Sequence, residues 1–344
     1  MITPRHLTKG SRIAIISPAT EVKPEYIDGA ELYLRRRGYI PVTMPHARGP
    51  RSGTYAAAHS GRLSGLREAL FDPSISCIFC ARGGYGCCHL LSPASSLCDM
   101  PDSEGETHPL LLRPEDVALN PKWLVGFSDI SALHALWLTA GVRSLHSSMA
   151  KQLTLFPDVE ISEEMFQILE GGAAEAESGL ILHEIKACEP DAEQAQMRRQ
   201  LYDAADSRDA VGTLVGGNLA VLNGLASTPY DILSPDRLNG RILFLEDVGE
   251  KIYQVERMLT RLWLAGSLEA AAGLIFGQFT DYQPDANFCS MEAMITARML
   301  QWGIKCPVAI GMPIGHIDAN RPVVEGSEAR LEIFPDGARL SYTV

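Results

Sequence analysis

The first part of the chain alternates short, unbroken apolar runs with segments of helical periodicity, and that alternation leaves few folds open. Arg12-Ile-Ala-Ile-Ile, Tyr39-Ile-Pro-Val-Thr-Met, residues 76–81 and Trp123-Leu-Val each read as a strand without a polar face. Residues 24–38 and 59–70 read as helices. The first closes at Gly38 after Arg35-Arg36-Arg37; the second carries Leu63, Leu66 and Leu70 on one face. Residues 142–145 form one more short strand, ending at His146. Strands buried on both faces and separated by helices predict a parallel sheet, and so an α/β domain.

A length of 344 residues, 46% of them apolar, suits about two such domains. The expected organisation is an N-terminal α/β domain over 1–155, a connecting segment over 156–210 and a smaller C-terminal β/α domain over 211–344. The connecting segment is acidic and alanine-rich. A helix over 160–169 and a hairpin around 180–185 are expected in it. The C-terminal domain should hold strands at 214–215, 241–245, 273–276 and 308–310, two more at 329–333 and 338–342, and helices at 219–225, 251–264 and 291–302. Residues 99–110 are loop-like and read as a surface insertion.

The net charge is −12, and no run is rich in lysine or arginine. Nucleic acid and anionic membrane surfaces are therefore poor partners. The N-terminus lacks the basic-then-apolar pattern of a signal peptide, and no apolar stretch nears the roughly 20 residues of a spanning helix. Eight scattered cysteines suit reduced thiols in a cytoplasm. Cys77-x-x-Cys80 followed by Cys87-Cys88-His89 raises a zinc site. Residues three apart on a strand face opposite sides, however, so core thiols are the expectation.

Several residues could carry chemistry. Trp123-Leu-Val-Gly-Phe-Ser-Asp reads as a strand, a sharp turn and a helix start, with Ser128 at the corner. There a hydroxyl stands clear of the sheet, and the N–H of Asp129 is a donor for a developing oxyanion. The hydrolase elbow pattern G-x-S-x-G lacks its second glycine here, and a serine that merely caps the helix is the plainer alternative. Arg82-Gly-Gly-Tyr-Gly86 follows a predicted parallel strand. Its backbone N–H groups could cradle an anion, or its glycines could simply serve a turn. Gly216-Gly-Asn218 carries the same ambiguity. Glu246 ends a buried strand, where a carboxylate needs a partner; it could orient a histidine or begin a helix, and Asp247 fits a first-turn acid before Lys251. His316, between Gly315 and a polar loop, is the histidine best placed as a base. His134 reads as packed, and His146 is the rival base.

Five stretches together resemble the LD-carboxypeptidase family of serine peptidases, the muramoyltetrapeptide carboxypeptidases, which includes microcin C self-immunity peptidases. They are Arg82-Gly-Gly-Tyr-Gly86, Pro121-Lys-Trp-Leu-Val-Gly-Phe-Ser-Asp-Ile-Ser-Ala-Leu-His134, Gly216-Gly-Asn-Leu219, Leu243-Phe-Leu-Glu-Asp-Val248, and Gly315-His316 with Asn320 after it. The resemblance implies an N-terminal α/β domain and a smaller C-terminal β/α domain with the active site between them, often within a homodimer. It implies Ser128 as nucleophile, His316 as general base, Glu246 as the acid that orients it, and an oxyanion hole from the backbone of Asp129, Gly83 and Gly84. No metal or cofactor is implied. The bond cut in the family joins an L-centre, lysine or meso-diaminopimelate, to a C-terminal D-alanine in cytoplasmic murein tetrapeptide. An exopeptidase must also hold its product's carboxylate, and Arg82, with Tyr85 beside it, is a candidate; an ion pair within the fold is the alternative for Arg82. The stretch between Gly86 and Pro121 is longer than the family pattern. Two other readings are a family member that cleaves a different peptide-like amide, such as a peptidyl-nucleotide antibiotic, and a non-catalytic ligand-binding module.

Overall fold

The computed structural model describes residues 1–92, 111–156, 160–172 and 182–343, so the insertion expected at 99–110 lies outside the described residues. The chain forms two compact units, Met1–Gly172 and Ala173–Val344.

In the first unit, strands β1 (Arg12–Ile16), β2 (Ile40–Thr43), β3 (Ile75–Cys80), β4 (Trp123–Gly126) and β5 (Ser144–His146) lie in the order β2-β1-β3-β4-β5. Every pairing is parallel, with Arg12 opposite Ile40, Cys77 opposite Trp123 and Val125 opposite Leu145. The apolar runs are continuous because both faces are covered: all of Trp123, Leu124 and Val125 is buried. The order reverses between β1 and β3. In open α/β sheets a crevice forms at that switch, outside the carboxyl ends of the strands. The segments that leave β1, β3 and β4 there are Ser17–Thr20, 81–86 and 127–130.

Helix Glu160–Leu169 belongs to this unit. Phe166 packs at 5.7 Å from both Tyr33 and Tyr39, and the Leu7 N–H donates to the Leu169 carbonyl. The C-terminal end of helix His59–Phe71 is closed by a buried cation: Lys122 Nζ donates to the carbonyls of Ala69 (2.9 Å) and Asp72.

In the second unit the strands are β6 (Leu182–Lys186), β7 (Asp209–Asn218), β8 (Ile242–Val248), β9 (Gly273–Thr280), β10 (Val308–Gly315), β11 (Val323–Glu325), β12 (Glu328–Ile333) and β13 (Ala338–Thr343). Seven of them form one sheet in the order β10-β9-β8-β7-β12-β13-β6. β7 is the joint. Its residues from Leu214 to Asn218 pair parallel with β8, and those from Asp209 to Thr213 pair antiparallel with β12. Of the hairpin expected around 180–185, residues 180–181 lie outside the described residues; β6 pairs antiparallel with β13, Ile185 opposite Leu340. Helix Ala192–Ala204 packs on helix Met291–Gln301. The segment 156–210 therefore gives one helix to the first unit and a strand and a helix to the second. Its residues 173–181 lie outside the described residues.

Candidate active site

Ser128 occupies the corner between β4 and helix Ser131–Thr139. The chain leaves β4 through an extended Phe127, then turns at Ser128 with φ 66° into one turn of 3₁₀ helix. A side chain in that left-handed region costs of order 1–3 kcal/mol, and such strain persists only where the surroundings enforce it. The enforcement is visible. Gly83 lies so close that a Cβ on it would stand 3.0 Å from Ser128 Cβ and 3.2 Å from both Ser128 Oγ and the Phe127 carbonyl. Ser128 does not cap the helix, whose N-cap position is Ile130. Among the described residues no acceptor meets the N–H of Asp129, Gly83 or Gly84.

The loop that carries Gly83 is held from three sides. Thr20 Oγ1 accepts the Tyr85 N–H at 2.9 Å. The Asp129 carboxylate accepts the Cys87 N–H at 2.8 Å. Arg62, 2% exposed, donates to the carbonyls of Gly86 (3.0 Å) and Pro18. Burial pushes the Asp129 carboxyl above its ordinary range, against the pull of the Cys87 N–H and Arg62. Arg82 is exposed and donates to the Glu21 carbonyl at 3.0 Å, so the structure gives it a backbone partner in place of an ion pair. Tyr85 beside it is 55% exposed. Sequence reasoning missed Thr20, Arg62 and the Asp129 side chain. One signal was present: Arg62 falls four and seven residues before Leu66 and Ala69, within the buried stripe of its helix.

In the second unit, Glu246 lies in the buried part of β8 and His316 follows the last residue of β10. His316 Nδ1 lies 2.7 Å from Glu246 Oε2, with the carboxylate fully buried and the imidazole 20% exposed. With Nδ1–H donating to the carboxylate, the ring's lone pair is at Nε2. Gly315 makes the approach possible. Its φ is +125°, and a Cβ there would meet Glu246 Cβ at 2.9 Å and the Gln278 carbonyl at 3.0 Å. Asn320 Oδ1 accepts the Gly315 N–H at 2.8 Å and fixes the start of the histidine loop.

Asp247 does not begin the helix before Lys251. That helix runs Ile252–Leu264, and Asp247 instead lies buried in β8, accepting from the N–H groups of Ala220 and Val248 and from Asn218 Nδ2. Burial, with Glu246 next to it, pushes its carboxyl up to about 6. Gly216-Gly-Asn218 does open a helix, Leu219–Asn223, with Asn218 Oδ1 capping Val221.

His134 is packed: Nε2–H donates to the Gly126 carbonyl at 2.9 Å and Nδ1 accepts from Ser144 Oγ at 2.7 Å. Burial pushes it down to about 3. His146 is fully buried, 5.8 Å from the Phe127 ring. Cys77, Cys80 and Cys87 are buried free thiols raised by burial, and among the described residues no three His, Cys, Asp or Glu side chains group to hold a metal ion. Nor is any described helix long and apolar enough to cross a membrane.

A strained serine beside unpaired backbone donors, and a histidine on a buried carboxylate, are the parts of a hydrolase. Residues 13–147 match the LD-carboxypeptidase N-terminal domain and residues 211–331 the LD-carboxypeptidase C-terminal domain. The chain belongs to the LD-carboxypeptidase family. It is 27% identical to the murein tetrapeptide carboxypeptidase of Pseudomonas aeruginosa, over 93% of each chain. It is 26% identical to the microcin C7 self-immunity protein of Escherichia coli, over 79% of this chain and 76% of that one. The crystal structure of muramoyltetrapeptide carboxypeptidase from Oxalobacter formigenes superposes with a TM-score of 0.73 at 25% identity, covering 96% of this chain and 98% of that one.

Proposed function

We propose that this protein is a serine carboxypeptidase that removes a C-terminal D-alanine from murein-derived tetrapeptide in the cytoplasm. The observation that carries the reading is the Ser128 corner, a strained hydroxyl packed on Gly83 beside donors that have no acceptor among the described residues. His316 takes the Ser128 proton at Nε2, and Glu246 stabilises the imidazolium that forms. Ser128 Oγ attacks the amide carbonyl. The N–H groups of Gly83, Gly84 and Asp129 meet the oxyanion. Collapse breaks the C–N bond, the imidazolium gives its proton to the departing amine, and water then hydrolyses the acyl-serine by the same route. Arg82 and Tyr85 hold the carboxylate of the departing residue. The mechanism uses no metal, so a chelator leaves the rate unchanged. The match to the murein tetrapeptide carboxypeptidase supports the substrate, and the free cysteines support a reducing compartment.

The test is mass spectrometry after treatment with a serine-reactive phosphonate, alongside D-alanine release from murein tetrapeptide. An adduct on Ser128, with release lost in Ser128→Ala and His316→Ala, supports the reading. Absence of both adduct and release leaves the non-catalytic ligand-binding module. The similarity to the microcin C7 self-immunity protein favours one second reading, hydrolysis of a peptidyl-nucleotide amide. An adduct with peptidyl-nucleotide cleaved faster than tetrapeptide would select it.

A further inference from the structure

On the reading of Ser128 as nucleophile, we propose that Arg62 is a positioning residue for the oxyanion donors of the 82–86 loop. Arg62 lies in helix His59–Phe71 and is 2% exposed. Among the described residues no carboxylate stands within ion-pair distance of it. A guanidinium buried in this way is costly unless its donors are used. Nε has no partner among the described residues, but Nη1 is used twice on backbone. Nη1 donates to the carbonyls of Pro18, just past β1, and of Gly86, at the end of the loop past β3. One side chain thus ties together the two strand ends at the switch point of the sheet. Nη2 faces His59 Nδ1 at 2.8 Å, and the guanidinium lies 4.7 Å from the centre of the Tyr55 ring. His59 must accept there, so it is neutral; burial, and then the charge of Arg62, hold its pKa below the ordinary value.

The loop has reason to need this. Three glycines in five residues give it wide conformational freedom. An oxyanion donor works only within a few tenths of an ångström of its proper place. Consecutive residues 85, 86 and 87 are fixed by Thr20, Arg62 and Asp129. Asp129 is itself the residue after Ser128. Arg62 is thereby the clamp that joins the glycine loop to the rest of the unit, and Asp129 the clamp that joins it to the serine corner. Burial lowers the pKa of Arg62, and the charge of Asp129 is among the groups that oppose this.

The experiment is the rate at which a serine-reactive phosphonate inactivates the full chain, because the phosphonate oxygen occupies the oxyanion position and the true substrate need not be known. Arg62→Ala should lower the limiting inactivation rate by about tenfold to a hundredfold while the reagent's half-saturation stays within about twofold. Guanidinium chloride at millimolar concentration should restore much of the loss. Should Arg62→Ala fail to fold, Arg62→Lys decides, since it keeps the charge but its amine, one bond nearer the backbone than Nη1, reaches less far and leaves no second nitrogen for His59; it should be slowed with its melting temperature nearly unchanged. Labelling of the folded variant at the wild-type rate overturns the proposal and leaves the peptidase reading intact. So does a loss that guanidinium does not restore and that appears equally in half-saturation. If wild-type Ser128 itself takes no label, the peptidase reading fails first and this one with it.

Discussion

The imidazole of His316 donates to a carboxylate, Glu246, that water cannot reach, at 2.7 Å. A neutral amide at the same place would still accept the Nδ1–H. It would no longer balance the positive charge that the ring gains during proton transfer. Glu246→Gln should therefore lower kcat for D-alanine release by roughly 10²–10⁴-fold while the fold survives. Steady-state kinetics beside a thermal melt check this, and wild-type turnover in the variant would remove Glu246 from the mechanism.

Gly83→Ala tests the contact that shapes the serine corner. The new methyl would stand 3.0 Å from Ser128 Cβ and 3.2 Å from its hydroxyl, so the corner or the loop must shift. A displaced nucleophile costs about 10²-fold or more in rate. Stability should change little, because one exit from a sheet moves and the sheet does not. A variant with undiminished rate would show that the contact does not constrain Ser128.

Lys122 predicts a pH dependence of stability. Burial lowers its pKa from 10.5 to about 8 in the folded chain. Between those values the unfolded chain binds more protons, so stability rises with pH from about 8 to about 10.5 and is flat for this group below about 8. Lys122→Met should abolish that rise. It should also cost about 1–3 kcal/mol at neutral pH, because the Ala69 carbonyl loses the Lys122 donor and the Asp72 carbonyl keeps only the Ile75 N–H. Melting temperatures of both proteins across pH 7–10.5 measure the two effects; parallel curves would refute the assignment.

His134 should behave as a structural group. Its two partners fix the Nε2–H tautomer, and burial keeps it neutral down to about pH 3. Nitrogen-15 spectra should show one imidazole that does not titrate between pH 5 and 8. His134→Leu should destabilise the chain by about 1–3 kcal/mol, because the Gly126 carbonyl keeps only the Ser147 N–H and the Ser144 hydroxyl loses the imidazole as acceptor. Phosphonate labelling of the folded fraction should continue.

The parallel strands were legible because burial on both faces leaves each as an unbroken apolar run, as in Trp123-Leu-Val. The serine corner was legible because strand, glycine and helix start are local in sequence. Contacts between distant residues were not. Asp247 follows a strand and precedes a helix, so it looked like a first-turn acid, yet the helix it serves begins 28 residues earlier at Leu219. β structure was legible near residues 180–185, but not that β6 would pair with β13, near the other end of the unit. Arg62 carries only the weak signal of its place in the buried stripe of its helix. Its charge is tolerated inside only because two backbone carbonyls from separate loops converge on it, and no single stretch of sequence displays that convergence.

The left-handed backbone at residue 128 also decides which nucleophiles this scaffold can ever carry. A branched β-carbon is barely tolerated at φ 66°, so threonine, an able nucleophile elsewhere, is shut out by geometry before its reactivity matters. Cysteine is unbranched and fits the same torsion. On the reading of Ser128 as nucleophile, this corner can exchange oxygen for sulfur without rebuilding the turn, and cannot exchange serine for threonine.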